Sequence, residues 1–220
     1  MYLVSNEEMR QLDRTAIETW RIPSLVLMEN AGIAILRQLE RDVPGLYEKR
    51  ITILCGCGNN GGDGLVLARQ LHLAGAAQVA VVIVIDGERR FSADHQANRE
   101  ILERLPVKII EVDGLSRIGV LKAQLNFSDI AVDCLFGTGL SRDLGELSRA
   151  VCDVLNDKRI LRVAVDIPSG LAGDSGQVCG AAVRADYTYT LAWPKQGLFL
   201  GDAAEFIGQL RVLNIGIPVE

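Results

Sequence analysis

The chain has 220 residues, 49% hydrophobic but only 5% aromatic, and a net charge of −5. That length suits one domain, 1–220, with a core of aliphatic side chains, and the sign disfavours non-specific binding to nucleic acid or an anionic membrane. The longest apolar run, Val79 to Ile85, falls far short of the roughly 20 residues of a membrane span, and the polar, acidic N-terminus does not read as a signal peptide; the expected location is cytoplasmic.

Ser5 and Glu8 form a capping-box signature, after which Met9, Leu12, Ala16 and Trp20 recur at helical spacing. Pro23 punctuates, and a second helix carries Leu25, Met28, Gly32, Ile35, Leu36 and Leu39 on one face. Ile51 to Cys55 is a short β-rich run ending in glycines; the helix after it turns Leu67, Leu71 and Ala74 inward. Val79 to Ile85 is too continuously apolar to be half-exposed and reads as a central parallel strand. A helix with Ala97, Ile101 and Leu105 leads to a strand over Val107 to Ile110. A strand over about Asp129 to Cys134, a helix with Leu147, Val151 and Val154, and a strand over Arg162 to Val165 follow. The final fifty residues read as strands, Tyr187 to Leu191 and Leu210 to Leu213, without helices between them. This alternation predicts an α/β fold: three layers, Rossmann-like, with a mostly parallel central sheet and an N-terminal helical extension.

Five cysteines, an odd number at irregular spacing, read as reduced thiols. His72 and His95 are the only histidines and fall inside helical patterns, where both read as ordinary helix-face residues. Ser-His-Asp hydrolases and His-rich metal centres lose most of their support on that count.

Ligands of such sheets bind beyond the carboxyl ends of the strands. Three strands here end in unusual loops: Cys55 to Gly64, Asp133 to Asp143, and Asp166-Ile167-Pro168-Ser169-Gly170. The first contains G-x-G-x-x-G at Gly56, Gly58 and Gly61, with Asp86 where a dinucleotide dehydrogenase keeps its ribose-binding acid, although Asp86 equally suits a strand-end turn. Asp63 argues against that fingerprint, because a carboxylate at a helix N-terminus repels a pyrophosphate; its plainer reading is an N-cap. No Gly-Lys-Ser/Thr follows, which excludes a Walker-type site. Asn60, Asp133 and Ser169 supply one small oxygen donor from each loop, a set suited to a hard cation. Asp133 and Asp166 are both strand-terminal carboxylates, so one can hold the cation while the other works as acid or base.

These segments, together with Leu27 to Gly32, Val132 to Leu140, Lys195-Gln196-Gly197 and Asn214 to Pro218, resemble the YjeF N-terminal domain family, the NAD(P)HX epimerases, over essentially the whole chain. The resemblance implies an isomerase that converts the R epimer of hydrated NADH or NADPH to the S epimer used by a partner dehydratase. It implies a potassium ion on Asn60, Asp133 and Ser169. It also implies nucleotide contacts from Asn59, Asn60, Gly61, Gly62 and Asp63, from Gly137, Thr138, Gly139, Leu140, Ser141, Arg142 and Asp143, and from Asp166. The hydrated ring is a carbinolamine, and inverting it needs proton transfer without hydride transfer, for which Asp166 is the expected catalytic residue. Lys195 either stabilises substrate charge or faces solvent. The rivals are a non-catalytic interaction scaffold of the same fold and a nucleotide-binding oxidoreductase or methyltransferase. A homodimer through the N-terminal helices is the expected assembly.

Overall fold

The computed structural model describes residues 2–140 and 142–218. Its strands are β1 (Arg50–Cys55), β2 (Gln78–Val84), β3 (Lys108–Val112), β4 (Ile130–Cys134), β5 (Leu161–Val165), β6 (Tyr187–Leu191) and β7 (Gln209–Leu213). They form one sheet in the order β3-β2-β1-β4-β5-β6-β7, and every pairing is parallel. The chain walks outward from β1 to β3, then returns to the other flank of β1 with β4. A crevice opens at the carboxyl ends where the order reverses.

The helices are α1 (Asn6–Glu18), α2 (Ser24–Asp42), α3 (Asn59–Leu73), α4 (Ala93–Leu102), α5 (Ile118–Asn126) and α6 (Glu146–Asn156). On one face of the sheet, Ile51 and Ile53 of β1 join a core with Ile35 and Leu39 of α2 and Leu67 and Leu71 of α3. On the other face Leu54 joins Leu121 and Leu125 of α5 and Val151 and Leu155 of α6. Successive strand residues thus bury on opposite faces, which is why the strands read as continuous apolar runs. Each such side chain contributes about 1.5–3 kcal/mol on burial. A third, smaller core of Ile167, Leu171, Leu198 and Phe206 lies under the C-terminal segment.

The capping box forms: Ser5 Oγ accepts from the Glu8 N–H at 3.2 Å, and Glu8 Oε2 accepts from the Ser5 N–H at 2.7 Å. Rather than hanging on the outside, α2 is part of one helical layer. A Cβ on Gly32 would lie 2.3 Å from Val66 Cγ1, so α2 and α3 approach at a distance that only glycine permits. Several apolar positions differ from the helical periodicity: Ile101 of α4 is exposed and Leu105 lies beyond its end. Trp20 lies beyond the end of α1 and is exposed, Leu25 is exposed, and Ala74 is the exposed C-cap of α3. The N-terminal segment is tied to the far end of the chain. Val4 N–H donates to Pro194 O at 3.0 Å and Gln196 N–H to Val4 O at 2.9 Å. Among the described residues no helix is long and apolar enough to cross a membrane.

Candidate active site

A cavity of about 560 Å³ runs along the carboxyl edge of the sheet, walled by α1, the start of α3 and the loops after β1, β4 and β5. The first loop is shorter than its glycine content suggests. Gly58 is the N-cap of α3, so Asn59 to Gly64 form the first turns of that helix. A Cβ on Gly61 would sit 1.9 Å from Gly56 O, and one on Gly62 would sit 2.6 Å from Met28 Cε. These glycines let the helix start press against β1 and α2; they do not line the cavity, whereas Asn59, Asn60 and Asp63 do. Asp63 is therefore not the N-cap but the fifth helical residue, and its carboxyl has no hydrogen-bond partner among the described residues. Burial, with Asp166 and Asp13 nearby, pushes its pKa well above the usual carboxylate range.

At the end of β4, Asp133 is fully buried. Its Oδ2 accepts from the Ser169 N–H at 2.8 Å, and its Oδ1 accepts from Ser169 Oγ at 2.6 Å and the Leu135 N–H at 3.2 Å. Burial still lifts its pKa to about 6 against these bonds. Asn60 Nδ2 donates to Val165 O at 3.3 Å, while its buried Oδ1 has no donor among the described residues. The three loops expected to share a cation are thus joined beneath the cavity floor by Asp133–Ser169 and Asn60–Val165 contacts. Gly137, Thr138, Gly139 and Leu140 line the cavity above them. Arg142 and Asp143 are exposed and outside it, Asp143 lying 3.9 Å from Arg149; Ser141 is outside the described residues.

Asp166 has φ of 69°, in the left-handed region that side chains other than glycine's rarely occupy. Such strain costs on the order of 1–3 kcal/mol and persists only where the surroundings fix it. Here the Asp166 N–H donates to Tyr189 O at 2.8 Å. Its Oδ2 accepts from the Thr138 N–H at 3.3 Å, and its Oδ1 forms an ion pair with Lys195. Far from facing solvent, Lys195 is 1% exposed, and its Nζ also donates to Leu191 O at 2.7 Å and Thr190 Oγ1 at 3.3 Å.

Reading the residues alone missed Asp13. It projects from α1 into the same cavity, and burial pushes its pKa up to about 6. Its only sequence signal is its place four residues after Met9, on the inner stripe of an amphipathic helix. Asp86 is engaged elsewhere: its Oδ2 accepts from the Ser148 N–H at 3.0 Å and caps α6 from a distance. A Cβ on Gly145 would lie 2.4 Å from that oxygen. The ribose-binding reading of Asp86 is thereby set aside. His95 is no ordinary helix-face residue either. It is fully buried, stacks on Phe91 with centroids 4.7 Å apart, and neither ring nitrogen has a hydrogen-bond partner among the described residues. Burial holds its pKa down to about 4.

Residues 24–197 match the family described as YjeF-related protein N-terminus. The chain is 42% identical over 219 residues to the bifunctional NAD(P)H-hydrate repair enzyme Nnr of Moorella thermoacetica, covering 99% of this chain and 41% of that one. It is 38% identical over 214 residues to the NAD(P)H-hydrate epimerase of Rhodopirellula baltica, covering 97% of this chain and 84% of that one. It thus spans about two-fifths of the bifunctional relative and most of the single-function one. The crystal structure of yeast ynu0, YNL200c, shares the fold with a TM-score of 0.78 at 24% identity, over 97% of this chain and 88% of that one.

Proposed function

The chain belongs to the YjeF-related N-terminal family, and from that membership we propose that it is an isomerase interconverting the R and S epimers of hydrated NADH and NADPH. One observation carries the reading beyond the relatives' names: the buried Asp166–Lys195 ion pair opens into a cavity at the switch point of the sheet. An interaction scaffold gains nothing from a buried ion pair whose desolvation costs several kcal/mol. A redox enzyme of this fold would need a free ribose-binding acid, and Asp86 is engaged in capping α6.

The substrate's reactive centre is a carbon bearing a hydroxyl next to the ring nitrogen, so epimerisation breaks and re-forms a bond at that carbon with help from a proton donor and acceptor and without hydride transfer. In this reading Asp166 is the proton acceptor. Lys195 fixes one carboxylate oxygen and the Thr138 N–H the other, which holds the group in the orientation its positive φ imposes. We assign the nucleotide contacts to Asn59 to Asp63, to Gly137 to Leu140 and to Ser141, Arg142 and Asp143; of these, Asn59, Asn60, Asp63 and Gly137 to Leu140 line the cavity.

A potassium ion on Asn60, Asp133 and Ser169 belongs to the same proposal. What supports it is the donor chemistry: among the described residues the Asn60 Oδ1 is a buried acceptor lacking a donor, and no cationic side chain pairs with the Asp133 carboxylate. When bound, the ion supplies positive charge that offsets Asp133 and orders the three loops. We further assign the S epimer to a dehydratase as the next acceptor, in keeping with the bifunctional relatives' name, and a cytoplasmic location. Exposed Ile17, Trp20, Leu25 and Val26 at the α1–α2 corner support a homodimer through these helices.

The test is chromatographic separation of the epimers after R-NADHX is mixed with the purified protein in potassium buffer. Equilibration faster than in buffer alone is expected; an unchanged rate refutes the assignment and leaves the scaffold reading.

A further inference from the structure

We propose that Arg10 of α1 holds the pyrophosphate of the dinucleotide at the mouth of the cavity, with the reacting ring at the Asp166–Lys195 end. The inference rests on the reading that a hydrated dinucleotide occupies the cavity. It adds a substrate-binding residue from outside the three strand-end loops.

The cavity is by its charge a poor host for an anion. Its lining carries the carboxyl groups of Asp13, Asp63, Asp86, Glu88, Asp94 and Asp166. Against these, the described residues of the lining include only two cationic side chains, Arg10 and Lys195. A helix N-terminus commonly seats a pyrophosphate, but the first turns of α3 carry Asp63 into the same space. Lys195 is already engaged: it is 1% exposed, paired with Asp166, and donates to Leu191 O and Thr190 Oγ1. Arg142 is exposed and outside the cavity. Arg10 is the cation left to meet the phosphates.

Its place follows from the helix. Arg10, Asp13 and Ile17 recur at i, i+3 and i+7, which turns them to one side of α1, and all three line the cavity. The Arg10 side chain is 50% exposed, so it stands at the mouth, whereas the sealed Lys195 belongs to the floor. In the substrate a ribose separates the reacting ring from the pyrophosphate. A ring at the floor therefore sends the phosphates toward the mouth.

Arg10 is also free to move there. Glu7 Oε2 accepts from Arg10 Nε at 3.1 Å, while Glu7 Oε1 lies 3.0 Å from Arg14 Nη2. Arg14 donates to Gln11 Oε1 as well, at 2.8 Å. Swinging Arg10 from Glu7 to a phosphate thus leaves Glu7 paired with Arg14, and giving up an exposed ion pair costs little. The planar guanidinium fork then matches two phosphate oxygens, which an ammonium group cannot do.

Arg10→Gln keeps a long polar side chain on an exposed helix face and removes the charge. Calorimetric titration with ADP-ribose, which has the pyrophosphate and lacks the nicotinamide ring, reads the contact without any turnover. The Kd of the variant is expected to rise about 10–100-fold, the scale of a lost charge-assisted hydrogen bond, and to depend less on salt. Arg14→Gln removes the same charge from the same Glu7 outside the cavity and is expected to bind like the wild type. With R-NADHX, KM rises by a similar factor while kcat stays within about threefold, because the pyrophosphate is held alike before and during the reaction. A Kd for Arg10→Gln within about twofold of the wild type, equal weakening by Arg14→Gln, or no binding of ADP-ribose at millimolar concentration overturns the proposal. An Arg10-dependent grip on ADP-ribose without epimerisation removes the epimerase reading and keeps the site. Epimerisation with an unchanged KM in Arg10→Gln does the reverse.

Discussion

Replacing Lys195 by Met keeps the length of the side chain and deletes its charge. In the wild type the Nζ binds Asp166 Oδ1, Leu191 O at 2.7 Å and Thr190 Oγ1 at 3.3 Å, all inside a residue that is 1% exposed. After the substitution Asp166 keeps only the Thr138 N–H at 3.3 Å. The cavity then holds Asp13, Asp63 and Asp166 with no ammonium among them. Removing one partner of a buried ion pair typically costs about 3–5 kcal/mol. For a chain of this length each kcal/mol is about 2–4 °C in Tm, so a drop of about 6–20 °C is expected at pH 8. The deficit has a pH signature. As pH falls toward 5, Asp13 and Asp63, both raised by burial, take up protons, the negative charge of the cavity drops, and the gap between variant and wild type narrows. Thermal unfolding followed by circular dichroism at pH 8 and pH 5 measures both. A variant melting within about 2 °C of wild type at pH 8, or a gap that does not change with pH, refutes the claim that Lys195 neutralises the site.

Three other outcomes follow from the same geometry. His95 is buried and neutral, with its pKa held down to about 4 from 6.5. The unfolded chain's His95 therefore binds more proton between those values, and the His95 contribution to stability falls by up to about 3 kcal/mol as pH drops from about 6.5 to 4, against the opposite contribution of the raised Asp13, Asp63 and Asp133. Urea melts of wild type and His95→Phe at pH 7 and pH 4.5 check this: the variant should gain stability relative to wild type as pH falls, and a difference independent of pH counts against it. Gly61→Ala places a Cβ 1.9 Å from the Gly56 carbonyl oxygen. It should cost at least about 1–3 kcal/mol and displace Asn60 and Asp63, read as a lower Tm together with loss of epimerisation. Exchanging potassium for a bulky organic cation should slow epimerisation, and Asp133→Asn should lose the response to potassium; equal rates with and without the ion count against the site.

The sheet and its three terminal loops were legible because each strand ends abruptly in glycine and acid, a pattern that depends on local chemistry alone. The helix Ile118–Asn126 escaped because only Leu121 and Leu125 of it are buried, too few positions to declare a period. Asp63 was misplaced by five residues of helix, since nothing in Gly58 to Gly64 marks where coil stops. Asp166 was found, but its positive φ was not: Pro168 announces a stiff loop without saying which residue bears the strain. Asp13 and the burial of Lys195 depend on which distant segments meet, here α1 against the segment after β6, and local sequence carries no signal for that. Asp86 misled because a strand-end acid looks the same whether it faces a ribose or the N–H groups of another helix.

The parallel bridge of Val4 to the Lys195 segment also dictates an order of assembly. A chain emerging from the ribosome is delivered N-terminus first, so Asp13, Asp63 and Asp166 are all available before Lys195. Until that segment arrives, α1 has no strand-like partner for Val4, and the three carboxyls have no ammonium to balance them. Packing α1 onto the cavity and closing the C-terminal segment are therefore one event. The nascent chain gains its neutralising charge, its first-helix anchor and its finished cavity in the same late step.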